Sequence, residues 1–444
     1  MFDQLQIKFV GEFGGESPMT WAQREQWQVQ VATAPFDARL NPRFRMRLRS
    51  GTTLDSIQSA LARLVERYEA LRTTYPVVGT TPIQRIERSG TFHVQVWKAE
   101  DFSELSATAQ LELESRSFEL ETEWPFRFGI VIDHSGHVNW LVGVVSHVSA
   151  DAAAILLLRA SLEDFLYGDA SISKRSPLQP REQALFETSD AGRSVLKRSL
   201  SEWRSGLGEF DSLPRAGNVN DKNVVPFPSV TLFARGYGRR ASHLAEELHI
   251  HQSVVYVAAA AAAVARALGV DAYALKVSCS NRRPTHGDYL GMLAQQGLIP
   301  LRLGQLSFRE LARNVGRGML GSYRSSRYDP DALCQQSSGK HGWYGSDDPV
   351  IDHWINYMPS AHAPAFDGGA GLKDGQFTID ESGSVDYTVV KFGFVVSPIG
   401  DDLSLRIFGN SHHLSRETMG LVLKENISLI DEAIESVGSS TVLS

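Results

Sequence analysis

Cysteine is nearly absent from this 444-residue sequence, which holds only Cys279 and Cys334. No disulfide framework can be built from the pair, and a reducing cytoplasm is the expected setting. Long hydrophobic runs are missing too. The longest, Val254 to Ala265 (VVYVAAAAAAVA), stops at Arg266 and is too short and alanine-rich to span a bilayer, so a buried core helix is expected and no membrane partner. The opening MFDQLQIKFVGEFGG has neither the basic start nor the apolar centre of a signal peptide. Basic excess is also absent. A net charge of −7 and a pI near 6.0 argue against nucleic acid as the main partner. What remains is ordinary globular material, 42% hydrophobic and 21% charged, with a mean hydropathy of −0.18. That is enough for a sizeable core, and the length allows two or three domains.

Periodicity places the elements. NPRFRMRLRSG sets Phe44, Met46 and Leu48 on one face and Arg43, Arg45, Arg47 and Arg49 on the other, as a half-buried strand does. TTLDSIQSALARLVERYEALRTTY carries Leu54, Ile57, Leu61, Leu64, Val65, Tyr68 and Leu71 at helical spacing. Phe126–Asp133 and His137–Ser146 read as strands joined by a hairpin at HSG, and VNWLVGVVS, apolar on both faces, belongs in a covered sheet. The polar stretch 168–192 separates two domains, 1–175 and 176–444. Beyond it we expect a helix over Glu182–Leu207 and another helical segment in ASHLAEELHIHQSVVYVAAAAAAVARALG. Strand AYALKVSCS, helix FRELARNVGRGMLGSYRSS, strand HWINYMPS, a hairpin turning at Gly400 and a closing helix from about Ser415 to Val437 follow. This order implies α/β halves with mixed sheets.

The segment VGVVSHVSADAAA concentrates the chemistry. An apolar strand ends at His147, and Asp151 stands where an N-cap would accept backbone N–H groups at the start of an alanine-rich helix. Read alone, this pair fits a satisfied core histidine and a cap. The functional reading beside it is a general base, because imidazole changes charge near neutral pH. There is no G-x-S-x-G, and neither cysteine has an activating context, so a histidine without a protein nucleophile points to direct transfer. His134 and His137 lie in the hairpin turn with no third ligand at metal spacing, and no metal is expected. His412 and His413 fall at a strand-to-helix corner.

SHVSADA resembles the H-H-x-x-x-D-G motif of the condensation domains of nonribosomal peptide synthetases, within the chloramphenicol-acetyltransferase-like superfamily. The resemblance continues in order along the chain: MTWAQREQW, LVERYEALRTTY, TPIQRI, WPFRFGIV, SNRRPTHGDYLGMLAQQGLIPLRL, WINYMP, and LSLRIFGNSHHLSRETMGLVLKENISLIDEAI. It implies an α/β fold of two acetyltransferase-like subdomains in a V-shaped pseudo-dimer, with mixed sheets and a central tunnel. His147 would match the catalytic motif histidine, Asp151 the structural motif aspartate paired with Arg282, and Asn356 the asparagine that supports the reaction centre. The sequence departs from the motif at Ser146, in place of the first histidine, and at Ala152, in place of the glycine. GMLAQQGLIPLR also lacks the family's usual asparagine.

The function so implied is condensation: a carrier-protein-tethered acyl thioester joined to an amine or hydroxyl in natural-product biosynthesis. No cofactor would be bound. The phosphopantetheine arm of an acyl- or peptidyl-carrier protein, acting in trans, would deliver the acyl group to a small-molecule acceptor, and a monomer is expected. The departures keep two alternatives open. One is a noncatalytic module recruiting a carrier protein or tailoring enzyme; the other is a related acyltransferase using CoA or a lipid alcohol. Carriers in such systems are acidic, so docking on a chain of net charge −7 needs a local basic patch. Arg309, Arg313 and Arg317, with Arg324 and Arg327 beyond, form one candidate, and Arg43, Arg45, Arg47 and Arg49 another. Either could instead be a solvated face, since arginine outnumbers lysine 34 to 10.

Overall fold

The computed structural model describes residues 3–98, 102–168, 176–207, 225–304, 306–336, 353–358, 371–388 and 390–441. The stretch 169–175, which carries the expected domain break, lies outside them, as do 216–224, Pro359 and Ser360. Two compact units emerge. Unit 1 comprises Met1–Val195 with Ser280–Ala294, and unit 2 comprises Leu196–Cys279 with Gln295–Ser444.

Unit 1 is built on a five-stranded mixed sheet of β1 (Asp3–Val10), β2 (Arg43–Arg47), β3 (Ser89–Lys98), β4 (Phe126–Ile132) and β5 (Val138–Val145), ordered β1-β3-β4-β5-β2. Only β3 and β4 run parallel. Its helices are α1 (Trp21–Thr33), α2 (Leu54–Arg67), α3 (Phe102–Leu113), α4 (Ala152–Tyr167) and α5 (Pro180–Thr188). The alternation of β2 is realised, with Phe44 and Met46 buried and the arginines exposed. Leu141 and Val145 of β5 pack with α2 and α4, while Val142 and Val144 pack with Ala109 and Leu113 of α3. Both faces of β5 are therefore dry, which is why its sequence does not alternate. Gly143 admits the Phe44 and Phe128 rings; a Cβ there would sit 2.6 Å from Phe44 Cε1.

The helical pattern read through Tyr75 stops at Arg67. Beyond it a 3₁₀ turn over Glu69–Arg72 leads into a short strand, Thr73–Thr74, because the buried Arg72 guanidinium donates to the carbonyls of Phe13 and Glu87. The chain leaves unit 1 at Val195 and not at 175, because α5 is tied to it: Glu187 accepts the Trp21 N–H at 2.7 Å, and Arg181 Nε donates to Glu69 at 3.0 Å. The single helix expected over Glu182–Leu207 is broken into α5 and α6 (Asp190–Leu207), with Ser189 Oγ capping the Gly192 N–H.

Unit 2 holds a seven-stranded mixed sheet of β6 (Ser229–Ala234), β7 (Ala272–Cys279), β8 (Gln295–Arg302), β9 (His353–Tyr357), β10 (Phe377–Asp380), β11 (Phe392–Ile399) and β12 (Asp402–Gly409), ordered β8-β7-β9-β11-β12-β6-β10. β9 is parallel to both neighbours. The hairpin of β11 and β12 turns at Gly400 with φ +58°. The long helical segment expected before β7 is two helices, α7 (Tyr237–Leu248) and α8 (Gln252–Leu268), meeting at a 103° bend. His249 takes a left-handed conformation at the bend, and His251 caps α8 by accepting the Ser253 N–H. The apolar run Val254–Ala265 is buried within α8, against α11 (Arg416–Thr441) and the sheet. No single helix among the described residues is long and apolar enough to cross a membrane. The remaining helices are α9 (Phe308–Ser325) and α10 (Pro330–Gln336).

Candidate active site

β5 delivers the SHVSAD segment. The strand ends at Val145 and the chain turns at once: the N–H groups of Ser149 and Ala150 both donate to the Ser146 carbonyl, at 2.9 and 3.1 Å. Ser146 and His147 are therefore turn residues, not strand neighbours. Ser146 is fully buried, with Oγ donating to Gln30 Oε1 at 3.4 Å. Gln30 Nε2 donates to Asn41 Oδ1 at 2.6 Å, and that same oxygen accepts the His147 N–H at 3.0 Å. On the other side of the turn, Ser149 Oγ and Tyr75 Oη share a hydrogen bond of 2.6 Å, and Gln23 Nε2 donates to Tyr75 Oη. The turn is thus fixed by long-range polar contacts in an otherwise dry interior, where they are strongest.

The His147 ring is half-buried, with Nδ1 2.9 Å from the Ala150 carbonyl. A carbonyl can only accept, so the proton resides on Nδ1 and Nε2 presents a bare lone pair. Burial pushes the imidazole pKa below its ordinary value, opposed by the Ala150 carbonyl and the charge of Asp151. The ring is therefore neutral at pH 7, and the turn supplies a base with its tautomer set by the backbone.

Asp151 is buried and caps α4. Its Oδ1 accepts from the Ala154 N–H at 2.9 Å and from Arg282 Nη2 at 2.6 Å; its Oδ2 accepts from the N–H groups of Leu293 and Ala294 at 3.1 and 3.3 Å. Arg282 is held in turn by the carbonyls of Tyr289 and Gly291. With four donors on two oxygens, the carboxylate has no free lone pair aimed at a substrate, and its geometry is that of a brace. Ala152 is exposed at the first position of α4. The structure thus brings His147, Asp151 and Arg282 together within unit 1. Asn356 belongs to unit 2, half-buried on β9 and in register with Val395. His134 and His137 are exposed at their turn.

Sequence reasoning gave no role to Gln23, Gln30, Asn41 or Tyr75. Only Gln23 had a local signal: Thr20 and Gln23 form a capping box at the start of α1. Tyr289 was missed as well. It is fully buried beneath the Asp151–Arg282 pair, its hydroxyl has no partner among the described residues, and burial raises its pKa well above the ordinary phenol value.

Comparison with known proteins places the chain in a family. The family model for the condensation domain matches residues 14–438. Bacitracin synthase 2 of Bacillus licheniformis is 22% identical over 398 residues, 86% of this chain and 14% of its own length. The chain spans between 1% and 14% of the length of such curated relatives. Among solved structures, the condensation domain of the monacolin K polyketide synthase MokA superposes with a TM-score of 0.75 at 17% identity, covering 95% of this chain and 98% of that one. The X-domain in complex with OxyB from teicoplanin biosynthesis gives 0.70 at 15% identity, covering 96% and 95%. At these identities the superpositions speak for the fold alone, and the match over nearly the whole length settles kinship: the chain belongs to the condensation-domain family.

Proposed function

We propose that the chain is an acyltransferase that joins a carrier-tethered acyl group to an amine or hydroxyl acceptor. One observation carries the reading: the Nδ1–H of His147 is committed to the Ala150 carbonyl, which leaves Nε2 as a neutral base. In the proposed step the acceptor attacks the thioester carbonyl while Nε2 takes its proton. The new C–N or C–O bond forms, the C–S bond breaks, and the imidazolium returns the proton to the departing thiolate. The phosphopantetheine arm of a carrier protein presents the thioester as substrate, and no group on this chain becomes acylated. A positioned base of this kind supplies about 10²–10⁴-fold in rate, and alignment of the two reactants supplies the larger share. Asp151 and Arg282 act on the chemistry only by holding the turn.

The test is incubation of acyl-loaded carrier protein with amine and alcohol acceptors, comparing the native protein with His147→Ala. Amide or ester product that falls by two orders of magnitude or more in the variant supports the proposal. Product formation that is indifferent to the substitution refutes it. A second reading, noncatalytic recruitment, draws on the Ser146 departure and on the fold shared with a domain solved in complex with OxyB. It requires tight partner binding with no product under any acceptor. Turnover of free acyl-CoA without a carrier would instead favour a CoA-dependent transferase.

A further inference from the structure

One face of α9 runs against the charge of the rest of the molecule. Arg309, Arg313, Arg317 and Arg324 fall within about 80° of one another around the helix, and Leu320 lies in the same stripe. Arg313, Arg317 and Arg324 are exposed, and Arg309 is half-exposed. None of the four makes an ion pair among the described residues; Arg317 donates to Asn314 of its own helix. Glu310, at the N-terminal cap, accepts from the Ser307 N–H at 2.9 Å and from Ser307 Oγ at 2.7 Å, and its charge also acts on Arg313 without forming an ion pair. Some other arginines of unit 2 are paired, as Arg239 is with Asp374 and Asp401 and Arg266 with Glu425. With four arginines and Glu310 at its N-terminal end, the stripe carries net positive charge on a chain of net −7.

Toward its C-terminal end, between Arg317 and Arg324, the stripe becomes apolar. Leu320 is 74% exposed and Tyr323 49%. A single exposed leucine is unremarkable, but a leucine and a tyrosine side by side, rimmed by arginines, have the anatomy of a docking surface. The helix beneath is rigid. Leu311, Ala312 and Val315 bury its inner face, Ser199 Oγ donates to the Arg324 carbonyl, and Trp203 Nε1 donates to the Ser325 carbonyl at 2.8 Å.

We propose that this face of α9 docks the carrier protein, taking an acidic helix with an apolar residue between its carboxylates. The proposal rests on the reading above only in naming a carrier as the partner. From Arg309 to Arg324 the stripe is about 22 Å long, which an acidic helix of about fifteen residues matches end to end. Long-range attraction would steer a carrier toward this face despite the net negative charge of the chain, and salt would screen it.

The test uses the full chain and a fluorescein-labelled holo peptidyl carrier protein, with Kd read by anisotropy between about 50 and 200 mM salt. The native protein should bind, more weakly as salt rises. R313E/R317E should weaken binding about tenfold or more, and R313K/R317K about threefold or less. Both pairs are exposed, so an unchanged thermal melt accompanies either substitution. No binding by the native chain, or an affinity that charge reversal leaves unaltered, overturns the proposal. So does a preference for anionic vesicles or duplex DNA over the carrier. Product formation is followed in parallel. Charge-sensitive carrier binding without product sinks the acyl-transfer reading alone, and product with carrier affinity unmoved in R313E/R317E sinks the docking face alone.

Discussion

Replacing Asp151 by alanine distinguishes a brace from a chemical participant. Four contacts are lost at once: the cap to Ala154, the ion pair with Arg282, and the backbone N–H groups of Leu293 and Ala294. An N-cap is worth about 1 kcal/mol, and breaking a buried ion pair by removing one partner costs about 3–5 kcal/mol. The two overlap, because Oδ1 serves both. Arg282 also keeps the carbonyls of Tyr289 and Gly291, so the lower end applies, about 3 kcal/mol. For a unit of this size that lowers Tm by about 6–12 °C. Near-UV circular dichroism, which reports the packed aromatics of both units, is the assay, with urea unfolding as a second measure. Asp151→Asn should fall between native and alanine, since its oxygen can still cap Ala154 while its amide confronts two N–H donors. A loss below about 1 kcal/mol would show that the contacts are not holding the turn. A rate loss at unaltered stability would make Asp151 part of the chemistry and refute the brace.

The rate of acyl transfer should rise with pH through a single ionisation below about 6.5 and then stay flat, because burial lowers the His147 pKa and only the neutral ring is a base; a limb centred above that value in a pH–kcat profile contradicts the environment described. The same shift makes stability rise with pH between the folded-state pKa and the unfolded value, since the unfolded chain binds the extra proton there. Glu123 should dominate acid sensitivity in unit 1. Burial pushes its carboxyl up, but Arg127 and Arg116 outweigh that and hold it at about 2, so its contribution is present above about pH 4.5 and lost as pH falls toward 2; Glu123→Gln should flatten Tm between pH 5 and pH 3. Gly143→Ala places a methyl group against Phe44 and Phe128 and should cost about 1–3 kcal/mol by urea unfolding. Ala152→Gly, at an exposed first helical position, should cost less than about 1 kcal/mol in the same measurement.

What the sequence made legible, and what it hid, divides by the range of the interaction. Burial on one face writes a period into the chain, so the arginine alternation of β2 and the two-sided apolar run of β5 could be read directly. Breaks that depend on one distant contact leave no period. The α2 pattern continues through Tyr68 and Leu71 although the helix has ended, because both side chains are still buried while the turn is held by distant contacts: Arg72 to the carbonyls of Phe13 and Glu87, and the Glu69 N–H to Gln179. The join of α5 and α6 and the bend between α7 and α8 were hidden alike, each fixed by a single serine or histidine cap inside a helical composition. The site follows the same division. That Asp151 would cap a helix is local and was legible; its partner Arg282 lies 131 residues away and was reachable only through resemblance. Asn41, 106 residues from His147, carried no signal at all. The property that matters most, which ring nitrogen of His147 bears the proton, depends on where a backbone carbonyl three residues ahead points. No side-chain pattern encodes that direction. It follows from the turn, and the turn follows from Asn41, Gln30, Tyr75 and the Asp151–Arg282 brace, so substitutions there should disturb the pH profile without touching the imidazole.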